Sequence, residues 1–208
     1  VVLAVKPQVM HAVAAEIAAA AQAHRPLIIS IAAGIRSADL DRWLGGDAAI
    51  VRCMPNTPAL VQSGATALFA NPRVGAEQRD RAETILRAVG LTLWLEREEL
   101  MDAVTALSGS GPAYFFLIME ALQAAGERLG LPADTARLLA LQTAFGAAKM
   151  ALESPEDAAV LRRRVTSPGG TTERALQILE DGGLRDLVLR ALTAARDRSH
   201  ELADQLGK

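Results

Sequence analysis

The sequence predicts an α/β domain followed by an all-helical domain, spanning residues 1–97 and 98–208. In the first part, short apolar runs alternate with helical stretches, which is typical of a parallel or mixed sheet covered by helices on both faces. Beyond residue 98 strand signals stop, and alanine and leucine, which favour helices, dominate. These two observations define the fold class, and 208 residues suffice for two small domains.

Each predicted strand of the first domain is a short, mostly apolar run, and each predicted helix has an identifiable start or stop. Pro7 stands near the first turn of the first helix, Ser37 is predicted to cap the second, and Gly45 and Gly46 end it. Strands are predicted at residues 1–5, 27–32, 49–53, 65–70 and 91–95, and helices at 7–23, 37–44 and 75–89.

The second domain reads as successive helices at residues 98–107, 113–129, 132–153, 173–180 and 184–206. We expect a tight turn at 108–111, with Pro112 opening the next helix. The helix at 132–153 is apolar on most of its circumference, because Leu138, Leu141 and Phe145 add to its main apolar stripe. This predicts burial inside the domain or in an oligomer, and we favour a homodimer through helices.

Composition excludes several functions. The net charge of −2 gives no general attraction to nucleic acid or anionic membranes, and no apolar run is long enough to span a bilayer. The single cysteine, Cys53, excludes an internal disulfide and suits a reducing compartment, so we expect a cytoplasmic protein. The three histidines lack the spacing of metal ligands, and we expect no metal site.

The first residues, Val1–Val5, form an apolar run of the kind found in buried central strands. A central strand needs partners on both sides, and the run lacks both an initiator methionine and the charged region of a signal peptide. We therefore expect the chain to begin inside a domain.

Ligands of open parallel sheets bind beyond the carboxyl ends of the strands, and three predicted ends carry suggestive residues. One interpretation of Lys6 is that it binds phosphate or ribose; the other is that it is an ordinary surface lysine. Ala33-Gly34 suits a flat ring lying against the backbone, or is a tight turn. Asn56, held near two prolines, either orients an amide group or makes an Asx-turn.

The segment Val165–Thr172 contains a proline, two glycines and four hydroxyl side chains directly before a helical run. Free N–H groups and the helix dipole favour an anion at such a start, and the hydroxyls add donors. The alternative is a loop whose serine or threonine only caps a helix.

Taken together, five ordered blocks of this sequence resemble Δ1-pyrroline-5-carboxylate reductase, which makes proline in the last step of its synthesis. The first four are residues 4–7, 30–34, 51–58 and 103–114, and the fifth, residues 165–172, looks like the family signature.

The resemblance implies a Rossmann-type domain that binds NADPH or NADH and a helical domain that joins two subunits, or a larger oligomer of dimers. It also implies that the glycine-rich phosphate loop precedes Val1, so we expect the printed segment alone to bind cofactor poorly and to be inactive.

The resemblance further implies roles for individual residues. Thr172 would orient the ring nitrogen of the substrate, pyrroline-5-carboxylate, or relay a proton to it. Substrate binding is implied for Ser167, Gly169, Gly170, Thr171, Thr172 and Glu156. Cofactor binding is implied for Val5, Lys6, Pro7, Ala33, Met54 and Asn56.

Two alternatives remain at this point. One is a related reductase acting on a 2-hydroxy acid or on a different cyclic imine; the absence of a lysine or histidine beside Thr172 argues against the hydroxy acid. The other is a cofactor-free helical dimerisation module.

Overall fold

The computed structural model describes residues 1–207 and begins with a five-stranded mixed sheet in the order β1-β2-β3-β4-β5. Only β3 and β4 run antiparallel, whereas β1, β2 and β3 lie side by side and parallel. The strands are β1 (Val2–Leu3), β2 (Leu27–Ser30), β3 (Ala49–Met54), β4 (Gly64–Ala70) and β5 (Gly90–Leu95).

Nine α-helices follow or connect these strands within the described residues. Single 3-10 turns lie at Pro7–Val9 and Thr57–Val61, and a π-helical turn at Thr105–Gly109. The helices are α1 (Met10–His24), α2 (Ser37–Trp43), α3 (Ala76–Arg87), α4 (Leu100–Val104), α5 (Gly111–Arg128), α6 (Ala133–Glu153), α7 (Ala158–Arg164), α8 (Thr171–Asp181) and α9 (Leu184–Leu206).

The sheet has a buried apolar cluster on each face because side chains alternate along its strands. Ile28 and Ile50 point to the cluster that α1 and α2 cover, whereas Ile29 and Val51 point to the cluster that α3 covers. The predicted fold class, an α/β domain followed by helices, is therefore confirmed.

The described chain divides into two compact units. One contains residues 1–112 together with the chain from Ala191 onward, and the other contains residues 113–190. The boundary expected between residues 97 and 98 remains a prediction. Among residues 1–207, no helix is long and apolar enough to cross a membrane.

Three local predictions were wrong. The first strand covers only Val2–Leu3, since the chain bends at Val5 and enters a 3-10 turn at Pro7. Ser37 does not cap α2; Arg36 precedes the helix and the Ser37 hydroxyl bonds to Glu98 instead. The turn expected at residues 108–111 is absent, because the chain widens into the π-helical turn and α5 starts at Gly111.

Candidate active site

The carboxyl ends of β1, β2 and β3 lie at one edge of the sheet, because these strands are adjacent and parallel. The residues predicted to bind cofactor lie at or just beyond these three ends. Their strand-end position is where open α/β sheets bind ligands. The sheet topology therefore places six predicted residues at the same edge of the sheet, and their role in binding cofactor stays a prediction: Val5, Lys6, Pro7, Ala33, Met54 and Asn56.

Beyond β1, Val5 is half-buried and packs against the apolar cluster under α1. Lys6 is exposed, and no ion pair involves its ammonium group within residues 1–207. Pro7 starts the 3-10 turn. This end of the sheet therefore carries an exposed lysine, and its predicted contact with phosphate or ribose stays a prediction.

Beyond β2, Ala33 is half-buried and Gly34 has a φ of +74°, a conformation that favours glycine. A Cβ on Gly34 would lie 3.7 Å from the backbone nitrogen of Ala203 in α9. The loop therefore follows a path set by glycine at this point, and the pair Ala33-Gly34 presents no long side chain, as contact with a flat ring requires.

Beyond β3, the amide of Asn56 is already engaged. Its Nδ2 donates to the backbone oxygen of Ser108 at 3.2 Å and to the Ser108 hydroxyl at 3.4 Å. Its Oδ1 accepts from the N–H of Ala65 at 2.9 Å. Asn56 thus fixes the loop after β3 to the start of β4 and to the π-helical turn.

A buried ionic network beside these strand ends was missed in the sequence. Glu98 accepts from the backbone N–H of Ser37 at 2.7 Å and forms an ion pair with Arg52 at 3.0 Å. Arg52 is only 5% exposed. The signal was an arginine inside the apolar run of β3, because arginine is seldom buried without a charged partner.

The signature segment forms a loop before α8. Gly169 has a φ of +73°, and the Gly170 N–H donates to the Ser167 backbone oxygen at 3.0 Å. Gly170 directly precedes the helix, which starts at Thr171. The first turn of a helix leaves N–H groups without an intrahelical partner, and such groups favour an anion.

The hydroxyls of this loop differ in their engagement. Thr166 donates to the Arg162 backbone oxygen at 2.6 Å. Within residues 1–207, no hydrogen bond involves the side chains of Ser167, Thr171 or Thr172. One backbone N–H of the loop already has a partner within the chain: the Gly169 N–H donates to a carboxylate oxygen of Glu173 at 2.8 Å. The loop thus holds three available hydroxyls beside a site that already attracts a carboxylate.

Glu156 precedes α7 and is tied to the end of that helix. The Arg164 guanidinium donates to Glu156 Oε1 at 2.6 Å, whereas Glu156 Oε2 is buried without a hydrogen-bond partner among the described residues. Arg164 stands directly before the signature segment, so the ion pair places Glu156 near its beginning. An unpartnered buried carboxylate oxygen is an available acceptor for a substrate N–H.

Cys53 has no reactive role in this arrangement. It is buried in the cluster under α3, and burial raises the pKa of its thiol from 9.0 to about 12. A thiol nucleophile needs a lowered pKa. Within residues 1–207, no cluster of histidine, cysteine, aspartate and glutamate side chains is placed to hold a metal.

Comparisons with known proteins agree with one another. The family model described as pyrroline-5-carboxylate reductase dimerisation matches residues 98–202. The pyrroline-5-carboxylate reductase of Pseudomonas aeruginosa is 57% identical over 208 residues, which is 100% of this chain and 76% of that protein.

Two solved structures are similar throughout the chain. A pyrroline-5-carboxylate reductase from Coxiella burnetii superposes with a TM-score of 0.93 at 52% identity, covering 97% of this chain and 74% of that one. The Plasmodium falciparum pyrroline carboxylate reductase with NADP bound gives a TM-score of 0.88 at 33% identity, covering 97% and 76%. This chain belongs to the pyrroline-5-carboxylate reductase family.

Proposed function

We propose that this protein reduces Δ1-pyrroline-5-carboxylate to L-proline with NADPH or NADH, the last step of proline biosynthesis. Membership of the family supports the reaction. The observation that carries the assignment to a site is the loop before α8, where the unengaged Thr172 hydroxyl lies in the first helical turn.

The substrate is a five-membered cyclic imine that bears a carboxylate. The carboxylate needs donors fixed in advance, and the first-turn N–H groups of α8 with the hydroxyls of Ser167 and Thr171 provide them. Gly169 and Gly170 supply backbone that approaches the ligand closely. The Glu173 carboxylate on the Gly169 N–H occupies one such donor, so the substrate competes with it.

The ring nitrogen needs a polar partner while the neighbouring carbon is reduced. We assign this role to the Thr172 hydroxyl, which is half-buried and unengaged within the described chain. A threonine hydroxyl titrates far from neutral pH, so Thr172 orients the nitrogen by hydrogen bonding or relays a proton to it. The protonated iminium is itself a good hydride acceptor, and no stronger acid is required.

Glu156 extends this site. Its Oε2 is buried without a partner in the described chain, and its Oε1 is held by Arg164. We propose that Oε2 faces the ring nitrogen and accepts from the second N–H that the nitrogen carries in the product, while Thr172 bonds the single N–H of the protonated imine. A carboxylate at this point stabilises the cationic iminium form.

The strand-end residues fit a nicotinamide cofactor, which supplies a hydride when bound. Ala33 and Gly34 present backbone without a protruding side chain, and Lys6 carries an unpaired cation among the described residues. We propose that Ala33 and Met54 line the nicotinamide ring, that Val5, Lys6 and Pro7 meet the adjoining ribose and phosphate, and that Asn56 holds the neighbouring loop.

We further propose a homodimer through the helical unit, with a larger oligomer of dimers as an extension. Large apolar side chains of α5 and α6 are exposed in the single chain, Phe145 by 62%. Exposed apolar surface of this kind marks an interface. The exposed members include Phe115, Phe116, Leu117, Ile118, Leu122, Leu138, Leu139, Phe145 and Met150. The family model that matches this region describes dimerisation.

A cytoplasmic location is also proposed. It is supported by the single cysteine, which is buried and unpaired. Free buried thiols are ordinary in reducing compartments.

The direct test uses protein expressed from the complete open reading frame. Oxidation of NADPH is followed at saturating pyrroline-5-carboxylate, and the product is identified as L-proline by chiral chromatography. The six-membered homologue, piperideine-6-carboxylate, serves as the matched imine. Reduction of the five-membered ring with the higher kcat/KM supports the proposal; no turnover of either imine by folded protein that binds NADPH contradicts it.

A further inference from the structure

Glu98 is the centre of a network that joins two strand ends. Its Oε1 accepts from the Ser37 N–H at 2.7 Å and from Arg52 at 3.0 Å, and its Oε2 accepts from the Ser37 hydroxyl at 2.5 Å. The carboxylate is therefore bound on both oxygens. Since Arg52 and Ser37 are buried, the network is largely screened from solvent.

The two residues that Glu98 binds lie in or next to the segments that carry the proposed cofactor contacts. Ser37 is the first residue of α2, directly after the short loop that follows β2 and contains Ala33. Arg52 lies in β3, two residues before Met54. One carboxylate thus links the first residue of α2, directly after the loop that follows β2, to the C-terminal part of β3.

A third connection runs along the chain from Glu98 itself. It precedes α4, which continues into the π-helical turn. Ser108 in that turn accepts the hydrogen bond from Asn56. Glu98 and Asn56 therefore attach the same helical segment to β3 and to the loop that follows β3.

We propose that Glu98 is a positioning residue for the cofactor: it holds Ala33 and Met54 at the separation that the nicotinamide ring requires. The inference rests on the proposed function. A carboxylate is needed because Arg52 is buried and cationic, and an uncharged side chain would leave that charge without compensation.

Three variants test this role. Glu98→Gln keeps the side-chain shape but places an N–H₂ group opposite one of the donors, and Ser37→Ala removes one hydrogen bond while leaving the ion pair intact. Glu99→Gln is the matched control, because Glu99 is the adjacent, exposed glutamate.

The decisive readout is the dissociation constant of NADPH, measured by fluorescence titration without any imine. Each variant is also characterised by its melting temperature and by the KM values of NADPH and pyrroline-5-carboxylate. We expect Glu98→Gln to weaken NADPH binding about tenfold and Ser37→Ala about threefold, because a bond to a charged group is lost or weakened. The KM of the imine and the behaviour of Glu99→Gln remain those of the wild type.

Several outcomes would overturn the proposal. A lowered melting temperature with wild-type NADPH affinity in Glu98→Gln and Ser37→Ala would show that the network only stabilises the fold. An equal rise in both KM values would exclude a role specific to cofactor. If Glu98→Gln does not fold, Ser37→Ala decides alone.

The titration also separates this inference from the proposed function. Wild-type protein that binds NADPH but reduces no imine would contradict the reaction, and the dissociation constants of the variants would still test Glu98. The titration uses the same full-length protein as the activity assay, and full-length wild-type protein that binds no NADPH would overturn both.

Discussion

Asn56 donates from its side-chain Nδ2 to the backbone oxygen of Ser108 at 3.2 Å, and this bond joins the loop after β3 to a π-helical turn. The same side chain accepts from the Ala65 N–H at 2.9 Å. Asn56, which we propose holds the loop after β3 beside the cofactor, is thus itself fixed through both its amide nitrogen and its amide oxygen. Rigid placement of such a loop lowers the entropy lost when a ligand binds.

Replacing Asn56 tests this relationship. Asn56→Ala should destabilise the protein by about 1–3 kcal/mol, because a half-buried acceptor on Ser108 and the Ala65 N–H lose their partner. The KM of NADPH should rise as well. Asn56→Asp keeps the acceptor for the Ala65 N–H but loses the donor to Ser108. Its stability and its KM for NADPH should therefore lie between those of the wild type and those of Asn56→Ala. Chemical denaturation and steady-state kinetics measure both effects; wild-type stability in Asn56→Ala would exclude the structural role.

The Glu156 carboxylate should act on the imine and not on the cofactor. Glu156→Gln should raise the KM of pyrroline-5-carboxylate by about tenfold, because the buried Oε2 no longer carries the charge that favours the iminium. The KM of NADPH should stay constant. Glu153→Gln, at an exposed glutamate on α6, is the control. A selective rise in the KM of NADPH would move Glu156 out of the substrate site.

The exposed apolar faces of α5 and α6 should form the dimer interface. Phe145→Glu should convert the dimer to monomer, because an ionised carboxylate cannot be buried there without a partner. Ile85→Glu, an equivalent change at a half-exposed apolar residue of α3, should leave the dimer intact. Light scattering coupled to size-exclusion chromatography gives the mass of each. A Phe145→Glu protein that remains dimeric places the interface elsewhere.

The Cys53 thiol should be unreactive towards thiol reagents in the folded protein. Burial raises its pKa from 9.0 to about 12, so the folded state binds the thiol proton more tightly than the unfolded state. The contribution of Cys53 to stability is therefore complete below pH 9 and is lost as the pH rises towards 12. A thiol reagent at pH 8 should label unfolded protein promptly and native protein very slowly. Prompt labelling of native protein would contradict the buried position.

The order of strands and helices could be predicted well, because the apolar runs that indicate strands and the residues that start or stop helices are local features of the sequence. The apolar run of β3 and the glycine pair after α2 depend only on their immediate neighbours. The signature loop was identified for the same reason: Gly169 and Gly170 immediately precede the helix that starts at Thr171. Local composition was sufficient at each of these points.

The errors came from partners distant in sequence. Ser37 has the side chain of a helix cap, but Glu98, 61 residues further on, binds its hydroxyl. Residues 108–111 look like a turn because they are serine and glycine, yet the bond from Asn56 holds Ser108 within a widened helix. No pattern within a window of a few residues carries information about such contacts.

The central claim is tested most directly by the kcat of Thr172 variants with pyrroline-5-carboxylate and saturating NADPH. Thr172→Val keeps the shape and loses the hydroxyl, whereas Thr172→Ser keeps the hydroxyl. The account predicts that Thr172→Val loses about 10²-fold or more in kcat, because the oriented hydroxyl that bonds the ring nitrogen or relays a proton to it is removed, and that Thr172→Ser retains most of the activity. Wild-type turnover by Thr172→Val would contradict the assignment of the reaction to this hydroxyl.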